Sequence, residues 1–267
     1  MASIQIKFYS PSLQTKTNVN VLLPTPESTL QGYQETFADC AKTGLFPVLY
    51  LLHGTSGDEG DWTRFSRIED YARKYNLAVV MPNCENSCYR NTPAGKAYYT
   101  YVTEELPQMM KWMFPVSDKR EDTYIAGLSM GAAGAFKLGM SKPEQYSYVA
   151  ALSGGATLHE ERHQKGDRWS WAFEPGEKTA GTMDDLCWLA SQLVENKVDY
   201  PKLYLCCGTE DFIYEANLVL KNHLDRIGFQ YTYHEQPGIH DWNFWDDEIQ
   251  RILKWLPVTK KGDTRYL

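Results

Sequence analysis

The sequence predicts an α/β fold in which a mostly parallel central sheet carries helices on both of its faces. One reason is that strand segments such as residues 47–52 are continuous apolar runs, which is typical of strands buried on both faces. Another is that these strands alternate with segments of helical spacing, a pattern that gives right-handed βαβ units. No repeat or linker composition interrupts the chain, so residues 1–267 are predicted to form a single domain.

The predicted elements follow one another in that alternating order. Residues 4–8 and 19–23, separated by Ser10-Pro-Ser, are expected to open the fold as an antiparallel pair. After an excursion over 24–44, strands are predicted at 47–52, 77–81, from Thr123 onward, 148–152, 202–207 and 231–235. Helices are predicted at 62–75, 96–114 with Pro107 as a kink or restart, after Ser129, and at 184–196, 213–227 and 242–255.

Charge and composition argue against several kinds of partner. The net charge is −7, and no run of Lys or Arg is longer than the pair Lys260-Lys261, which argues against nucleic acid or an anionic membrane. No apolar run is long enough to span a bilayer, and the first residues carry no apolar signal segment, so we expect a cytoplasmic protein. The six cysteines include no Cys-x-x-Cys pair and are expected to be reduced thiols. Both a monomer and a homo-oligomer are compatible with the sequence.

The stretch Gly127-Leu-Ser-Met-Gly131 lies between a strand segment and a helical segment rich in small residues. Glycines two residues before and after the serine remove the Cβ atoms that would collide in so tight a turn. The helix that follows directs its free N–H groups and its positive end towards an oxyanion at Ser129. This arrangement is the nucleophile elbow of the α/β-hydrolase fold, and it predicts Ser129 as the catalytic nucleophile. The alternative is a glycine-rich turn with an ordinary capping serine.

A nucleophilic serine needs a histidine as its base. In this fold the order along the chain is Ser, then Asp or Glu, then His. Of the histidines well beyond the elbow, His223 lies in a predicted helix and His234 in a predicted strand. His240 instead lies in the loop between the last strand and the last helix, at the edge of the sheet where Ser129 emerges. We therefore predict His240 as the base.

The base in turn needs a carboxylate that fixes its tautomer. Asp211 follows the predicted strand 202–207 at the same edge of the sheet, and we predict it in this role. Its alternative role is an N-cap of the next helix. Glu210 is its nearest competitor, while Asp241 is disfavoured because a side chain rarely orients its own neighbour.

An oxyanion hole needs two backbone N–H donors. One is predicted from Met130, which follows the nucleophile, and the second from Thr55, in the loop after the strand 47–52. His53, in the same loop, is expected to be structural rather than an acid or base.

Six motifs together resemble the putative-esterase family, which includes esterase D, tributyrin esterases and carbohydrate feruloyl or acetyl esterases. They are Tyr50-Leu-Leu-His-Gly-Thr-Ser-Gly-Asp58 with Trp62, Tyr101-Val-Thr-Glu-Glu-Leu-Pro107, Gly127-Leu-Ser-Met-Gly-Ala-Ala-Gly134, Ala151-Leu-Ser-Gly154, Gly208-Thr-Glu-Asp211 and Gly238-Ile-His-Asp-Trp242. They extend from about residue 47 to the last helix. The likeness is greatest to bacterial tributyrin-type esterases, which implies hydrolysis of short-chain acyl esters through an acyl-enzyme on Ser129, with no cofactor.

One motif departs from part of that family. The oxyanion loop of its S-formylglutathione hydrolases resembles Leu-Ser-Gly-Leu-Thr-Cys, whereas this chain has Leu52-His-Gly-Thr-Ser56. A thioesterase of that type is therefore the alternative rather than the main hypothesis. An acyltransferase that uses the same triad is a further alternative, which only product analysis separates from a hydrolase.

Residues 156–182 match no pattern of the family and are polar, glycine-containing and tryptophan-bearing. They are predicted to cap the pocket, with Trp169, Trp171 and Phe173 as candidate walls; packing on the surface is the alternative. Together with Trp62, the tryptophans Trp169 and Trp171 are the predicted substrate-binding residues.

Two further hypotheses are disfavoured. His159-Glu-Glu-Arg-His163 fits His-Glu-x-x-His, in which two histidines one helical turn apart bind zinc. Its flanks are polar and glycine-bearing with no apolar helical face, so no metal site is predicted. A non-catalytic scaffold protein is disfavoured because serine, aspartate and histidine are all retained.

Overall fold

One central sheet organises the part of the chain that the structure describes. The structure is a computed structural model, and it describes residues 1–26, 36–38, 44–156 and 167–258. Eight strands lie in the order β1-β2-β4-β3-β5-β6-β7-β8. Their bounds are Ala2–Ser10 (β1), Thr15–Leu23 (β2), Val48–Leu52 (β3), Ala78–Pro82 (β4), Thr123–Leu128 (β5), Tyr148–Leu152 (β6), Lys202–Gly208 (β7) and Tyr231–Gln236 (β8).

The sheet is parallel except at one edge. β1 and β2 form the predicted antiparallel pair, and β2 then pairs antiparallel with β4. From β4 through β3 and β5 to β8, every neighbouring pair of strands is parallel. The carboxyl ends of these strands therefore lie at one edge, where the loops after β3, β5, β7 and β8 meet. The predicted fold class is confirmed.

The helices alternate with the strands. They are Asp61–Phe65 (α1), Ile68–Arg73 (α2), a continuous helical segment of Tyr98–Thr100, Tyr101–Glu105 and Leu106–Met113 (α3), Met130–Ser141 (α4), Leu186–Glu195 (α5), Tyr214–Ile227 (α6) and Trp242–Trp255 (α7). None of the helices in the described ranges is long and apolar enough to cross a membrane.

Each face of the sheet carries its own apolar layer. Val48, Tyr50 and Leu52 of β3 lie in the layer beneath α3, α4, α5 and α6, whereas Leu49 and Leu51 lie in the layer beneath α1, α2 and α7. Side chains alternate along a strand, so a strand covered on both faces must be apolar at every position. The continuous apolar runs of the sequence are explained by this double burial.

The predicted helix 62–75 is divided in two. Ser66 adopts an extended backbone, and its Oγ donates to the carbonyl oxygen of Trp62 at 2.5 Å and accepts the N–H of Ile68 at 3.2 Å. The N–H of Arg67 donates to the Asp246 carboxylate of α7. Serine hydroxyls compete in this way with helical backbone bonds, and a helical spacing of apolar residues does not reveal it.

The predicted helix 96–114 is confirmed, and Pro107 marks a restart rather than a break. A π-helical turn, Tyr101–Glu105, precedes it, and regular α-helix resumes at Leu106. Proline lacks the N–H that a helix interior uses, but it is tolerated in a first helical turn. Pro107 lies in that first turn.

Part of the predicted insertion is held by buried charges. Lys137 of α4 is 2% exposed, and its Nζ lies 2.7 Å from Asp184 Oδ1. Asp184 also pairs with Arg90 Nε at 2.9 Å, and Arg90 pairs with Glu177. Removing one partner from a buried ion pair leaves a costly unpaired charge, so the chain before α5 is anchored to the helix that follows Ser129. Within 167–182 the structure has one short 3₁₀ turn, Ser170–Ala172.

Candidate active site

Ser129 lies in a sharp turn between β5 and α4. Its backbone has φ 54° and ψ −116°, a conformation that is costly for a residue other than glycine. A Cβ on Gly127 would lie 2.3 Å from the carbonyl oxygen of Gly131, and a Cβ on Gly131 would lie 2.5 Å from that of His53. Both glycines are therefore required, and the turn has the geometry of a nucleophile elbow.

Three side chains from different loops form one hydrogen-bonded chain at this edge of the sheet. Nε2 of His240 lies 2.9 Å from Oγ of Ser129. Nδ1 of His240 lies 2.9 Å and 2.8 Å from the two carboxylate oxygens of Asp211. With the proton on Nδ1 donated to the carboxylate, Nε2 is left as an acceptor for the serine hydroxyl. Such a histidine can take a proton from the serine as it attacks a carbonyl carbon.

Asp211 is held as an anion although it is buried. Its side chain is inaccessible to solvent, and besides His240 it accepts the backbone N–H of Ile213 at 2.9 Å. Burial by itself would raise the pKa of Asp211, but the hydrogen bonds from His240 and Ile213 outweigh it, so the pKa is lowered. The carboxylate therefore stays charged beside the imidazole.

The competing residues have other partners. His223 lies beside Ser191 and Arg226, and Nδ1 of His234 lies 3.0 Å from Glu248 Oε1. Glu210 accepts the N–H of Gly238. Asp241 caps helix α7 by accepting the N–H of Phe244 at 3.1 Å. None of them contacts Ser129, so the structure brings together the three residues that the sequence predicts for the triad.

The two predicted oxyanion donors both line the cavity around Ser129. Met130 is the first residue of α4, where backbone N–H groups have no acceptor within the helix. Thr55 lies in the loop after β3, whose turn is closed by the N–H of Gly57 donating to the carbonyl oxygen of Gly54. The positive end of the helix and this loop therefore flank the serine oxygen.

His53 supports that loop, as the sequence predicts. Its Nε2 accepts the N–H of Cys84 at 3.0 Å, so its Nδ1 is the protonated nitrogen and donates to the carbonyl oxygen of Gly54 at 2.7 Å. Burial lowers the pKa of His53, which keeps the imidazole neutral. Tyr89 donates its hydroxyl to the carbonyl oxygen of His53 at 2.8 Å. The histidine thus joins the oxyanion loop to the loop after β4.

The prediction that Trp62 binds substrate is wrong. Its ring is 1% exposed, and its indole N–H donates to the carbonyl oxygen of Leu52 at 3.0 Å, at the end of β3. Trp171 is not a wall of the cavity either, since its ring packs against Tyr98 at 6.2 Å. Phe173, the other candidate wall, is buried beneath the guanidinium of Arg90. Of the predicted aromatic residues, only Trp169 lines the cavity.

The cavity over Ser129 has a volume of about 490 Å³. Its walls include residues that the sequence analysis missed: Asp61, Arg168, Phe212, Trp242 and Trp245. Trp242 and Trp245 could have been found, because they follow His240 at helical spacing at the start of the last helix. Asp61 and Arg168 lie in polar stretches that carry no signal of their function.

The charged wall residues offer an acceptor and a donor to a substrate. Burial, followed by the charge of Asp58, raises the pKa of Asp61. Arg168 is exposed, and its Nη1 lies 3.4 Å from Ser56 Oγ. The apolar and aromatic remainder of the wall suits a small organic ligand with a few polar groups.

The described ranges contain no cluster of three or more His, Cys, Asp or Glu side chains that could hold a metal ion. The stretch His159-Glu-Glu-Arg-His163 lies outside the described residues.

The sequence matches known proteins over nearly its whole length. The model of the family described as "Putative esterase" matches residues 10–256. An acetyl esterase of Caldicellulosiruptor saccharolyticus is 31% identical over 266 residues, which cover 96% of this chain and 98% of that protein.

Solved structures of similar proteins support the same family. The fluorophosphonate-binding serine hydrolase FphF of Staphylococcus aureus superimposes with a TM-score of 0.84 at 31% identity, over 96% of this chain and 98% of that one. The S-formylglutathione hydrolase FrmB of the same organism gives 0.83 at 31% identity, with the same coverage. These findings confirm the predicted family and reaction class: the chain belongs to the Putative esterase family of the α/β-hydrolases and is a serine carboxylic ester hydrolase.

Proposed function

We propose that the protein hydrolyses short-chain acyl esters through an acyl-enzyme on Ser129. The observation that carries this proposal is the position of His240, whose two ring nitrogens lie within 2.9 Å of Ser129 Oγ and of the Asp211 carboxylate. A serine with such a base is activated as a nucleophile near neutral pH.

In the first half of the reaction, Oγ of Ser129 attacks the ester carbonyl carbon while Nε2 of His240 takes the hydroxyl proton. The N–H groups of Met130 and Thr55 stabilise the negative oxygen of the tetrahedral intermediate. When this intermediate collapses, the C–O bond to the alcohol breaks and His240 returns its proton to the leaving oxygen. Asp211 stabilises the imidazolium while the proton resides on it.

In the second half, water takes the place of the alcohol. His240 removes a proton from the water as its oxygen attacks the acyl carbon. When the new tetrahedral intermediate collapses, the bond from the acyl carbon to Oγ breaks, His240 returns the proton to Oγ of Ser129, and the acid is released. Both halves require an unprotonated imidazole, so activity is expected to fall in acid.

The size and lining of the cavity support small substrates. About 490 Å³ must hold both the acyl group and the part of the alcohol near the ester. The rings of Trp169, Trp242 and Trp245 restrict this space, and Asp61 and Arg168 suit a leaving group with hydroxyl groups. The similarity to an acetyl esterase agrees with a short acyl chain and with small aliphatic or acylated-carbohydrate esters. We propose that the reaction uses no cofactor.

A thioester substrate is the second candidate. The similarity to an S-formylglutathione hydrolase is as high, at 31% identity, as the similarity to the acetyl esterase, so the different oxyanion loop does not decide between them. The same triad would attack a thioester carbonyl and release a thiol. An acyltransferase would differ only in passing the acyl group to an alcohol rather than to water.

The experiment that tests the main proposal is hydrolysis of p-nitrophenyl esters from acetate to long acyl chains. The expected result is greatest kcat/KM for the shortest chains, abolished in Ser129→Ala. Ser141→Ala, at the other end of α4, is the matched control and should retain activity. Turnover that persists in Ser129→Ala would overturn the proposal.

Natural substrate classes are separated by a competition assay. Acetylated monosaccharides and S-formylglutathione are supplied together, and acid, thiol and any transferred ester are quantified. We expect the oxygen ester to be consumed faster. A faster release of thiol would establish the thioesterase, and a new ester product would establish acyl transfer.

We further propose that the described part of the insertion caps the pocket within a single domain, and that the protein acts in the cytoplasm, as a monomer or a homo-oligomer. Arg168 and Trp169 on the cavity wall support the cap. Free thiols at Cys84, Cys88, Cys187, Cys206 and Cys207 support a reducing compartment. Cell fractionation measures the location of the protein, and light scattering measures its oligomeric state.

A further inference from the structure

Trp245 packs against the imidazole of the proposed base. It lies in the first turns of α7 and is 6% exposed. Its ring and the ring of His240 have centroids 4.9 Å apart and planes at 88°. Edge-to-face contacts of this kind favour one relative orientation of the two rings. The indole therefore restricts rotation of the imidazole about its side-chain bonds.

The orientation of Trp245 is itself fixed by Ser153. The indole N–H donates to Ser153 Oγ at 3.1 Å in a buried contact. Rotation of the indole would leave that N–H without an acceptor, and an unsatisfied buried donor is costly. Ser153 has no exposed surface, and the backbone hydrogen bond from its N–H to the carbonyl oxygen of Cys206 measures 2.8 Å.

Ser153 occupies a backbone conformation that serine rarely adopts. It follows β6 directly, and its φ is 52°, in the left-handed region that favours glycine. The next two residues, Gly154 and Gly155, are glycines, yet the strained position is a serine. Strain of this kind persists where surrounding contacts determine the conformation, and it occurs often at functional sites.

The Ser153 hydroxyl also makes a minor contribution to the pKa of Asp211. Its oxygen accepts the indole N–H, so its own proton is free to be donated. The interaction of this hydroxyl with Asp211 contributes, after burial and the bonds from His240 and Ile213, to the pKa of Asp211 and helps to lower it. Ser153 therefore contacts the residue that supports the base.

We propose that Ser153 and Trp245 are positioning residues that hold the His240 imidazole in line between Ser129 and Asp211 during proton transfer. The inference rests on the proposed triad chemistry. Neither side chain exchanges a proton with substrate. They act by preventing the imidazole from turning while it carries the serine proton to the leaving group.

The test uses two variants of Ser153, one variant of Trp245 and one control variant of Trp255. Ser153→Ala and Ser153→Gly both remove the hydroxyl, but glycine relieves the left-handed backbone, which separates the hydroxyl from the strain. Trp245→Phe keeps an aromatic ring and removes the indole N–H. Trp255→Phe, on the same helix, is the matched control, since Trp255 packs against Tyr148 and Tyr204 at the far end of the sheet.

The expected result is a loss in kcat of roughly 10-fold for each Ser153 variant, the size of the penalty for leaving the buried indole N–H without an acceptor, with KM nearly unchanged. Trp245→Phe should lose several-fold, and the double variant Ser153→Ala with Trp245→Phe should lose no more than Ser153→Ala alone, because both changes break one linked network. Trp255→Phe should keep its kcat.

A spectroscopic readout separates positioning from a general loss of structure. The downfield proton resonance of His240 Nδ1–H reports the bond to Asp211, and it should shift or broaden in the Ser153 variants but not in Trp255→Phe. Unchanged kcat and an unchanged resonance in both Ser153 variants would overturn the proposal. An equal loss in Trp255→Phe would also overturn it.

Failure of the positioning proposal is distinguishable from failure of the triad itself. If Ser129→Ala is inactive while both Ser153 variants keep full kcat, the triad stands and the positioning role is wrong. If Ser129→Ala remains active, the underlying chemistry is wrong, whatever the Ser153 variants show.

Discussion

His53 and His240 occupy similar places in the fold but have opposite surroundings. Each lies in a loop at the carboxyl end of a parallel strand, and each has both ring nitrogens in hydrogen-bonding contact. The partners of His53 are a carbonyl oxygen and a backbone N–H, neither of which exchanges protons. The partners of His240 are a serine hydroxyl and a carboxylate, which together can accept and stabilise a moving proton.

The difference shows that the role of a histidine in these loops is set by the groups that its two ring nitrogens contact. His53 is 1% exposed and neutral, and it fixes a loop. His240 is partly accessible through the cavity, where a substrate can reach it. One histidine should therefore matter for stability and the other for chemistry, which substitutions can separate.

The largest expected effect is on turnover in His240→Gln. Loss of the base should lower kcat by about 10⁴-fold or more, as for removal of a triad member in other serine hydrolases. The free energy of unfolding should change little, because His240 is not part of the core. Steady-state kinetics with p-nitrophenyl acetate and urea unfolding measure the two quantities. A variant that keeps more than a tenth of the activity would contradict the role of His240.

The next largest loss of kcat is expected in Asp211→Asn. An amide cannot stabilise the imidazolium, and it can also favour the wrong tautomer, so kcat should fall by roughly 10³–10⁴-fold. Glu210→Gln is the matched control, because Glu210 bonds a backbone N–H beside the site rather than the imidazole. Comparable losses in both variants would indicate that negative charge in the loop, rather than Asp211 itself, supports the reaction.

The sequence predicted most of the fold and the three side chains that the structure brings together at the turn after β5, because both depend on local patterns. The apolar run at 47–52 is a direct consequence of burial on both faces, and the glycines around Ser129 are required by one turn. Two failures have a common cause. The break at Ser66 involves the bonds of its own hydroxyl and the contact of Arg67 with α7, and the burial of Trp62 involves its bond to the end of β3. Spacing alone does not reveal such contacts, nor that Asp61 faces the cavity while its neighbour Trp62 faces the core.

His53→Ala is expected to lower kcat less than His240→Gln does, and to lower the free energy of unfolding more. Loss of two buried hydrogen bonds together with a cavity should lower the free energy of unfolding by about 2–4 kcal/mol. His223→Ala is the control: that side chain is half-buried and should cost less than about 1 kcal/mol. Urea unfolding followed by circular dichroism checks both. A free energy of unfolding unchanged in His53→Ala would show that the two loops are joined by other contacts.

The smallest expected effect concerns pH, and it separates His53 from Asp211. Because burial lowers the pKa of His53, the unfolded chain binds this proton first as the pH falls below about 6.5, and the free energy of unfolding then decreases. The pKa of Asp211 is also lowered, so its contribution is present above the unfolded value and is lost only below about pH 4. Between pH 8 and pH 5, the free energy of unfolding measured with urea should therefore decline with falling pH. The slope should be shallower in His53→Gln than in the unsubstituted protein by up to about 1.4 kcal/mol per pH unit. Identical slopes in the two proteins would mean that His53 takes up its proton equally well when folded, which its contact with the Cys84 N–H opposes.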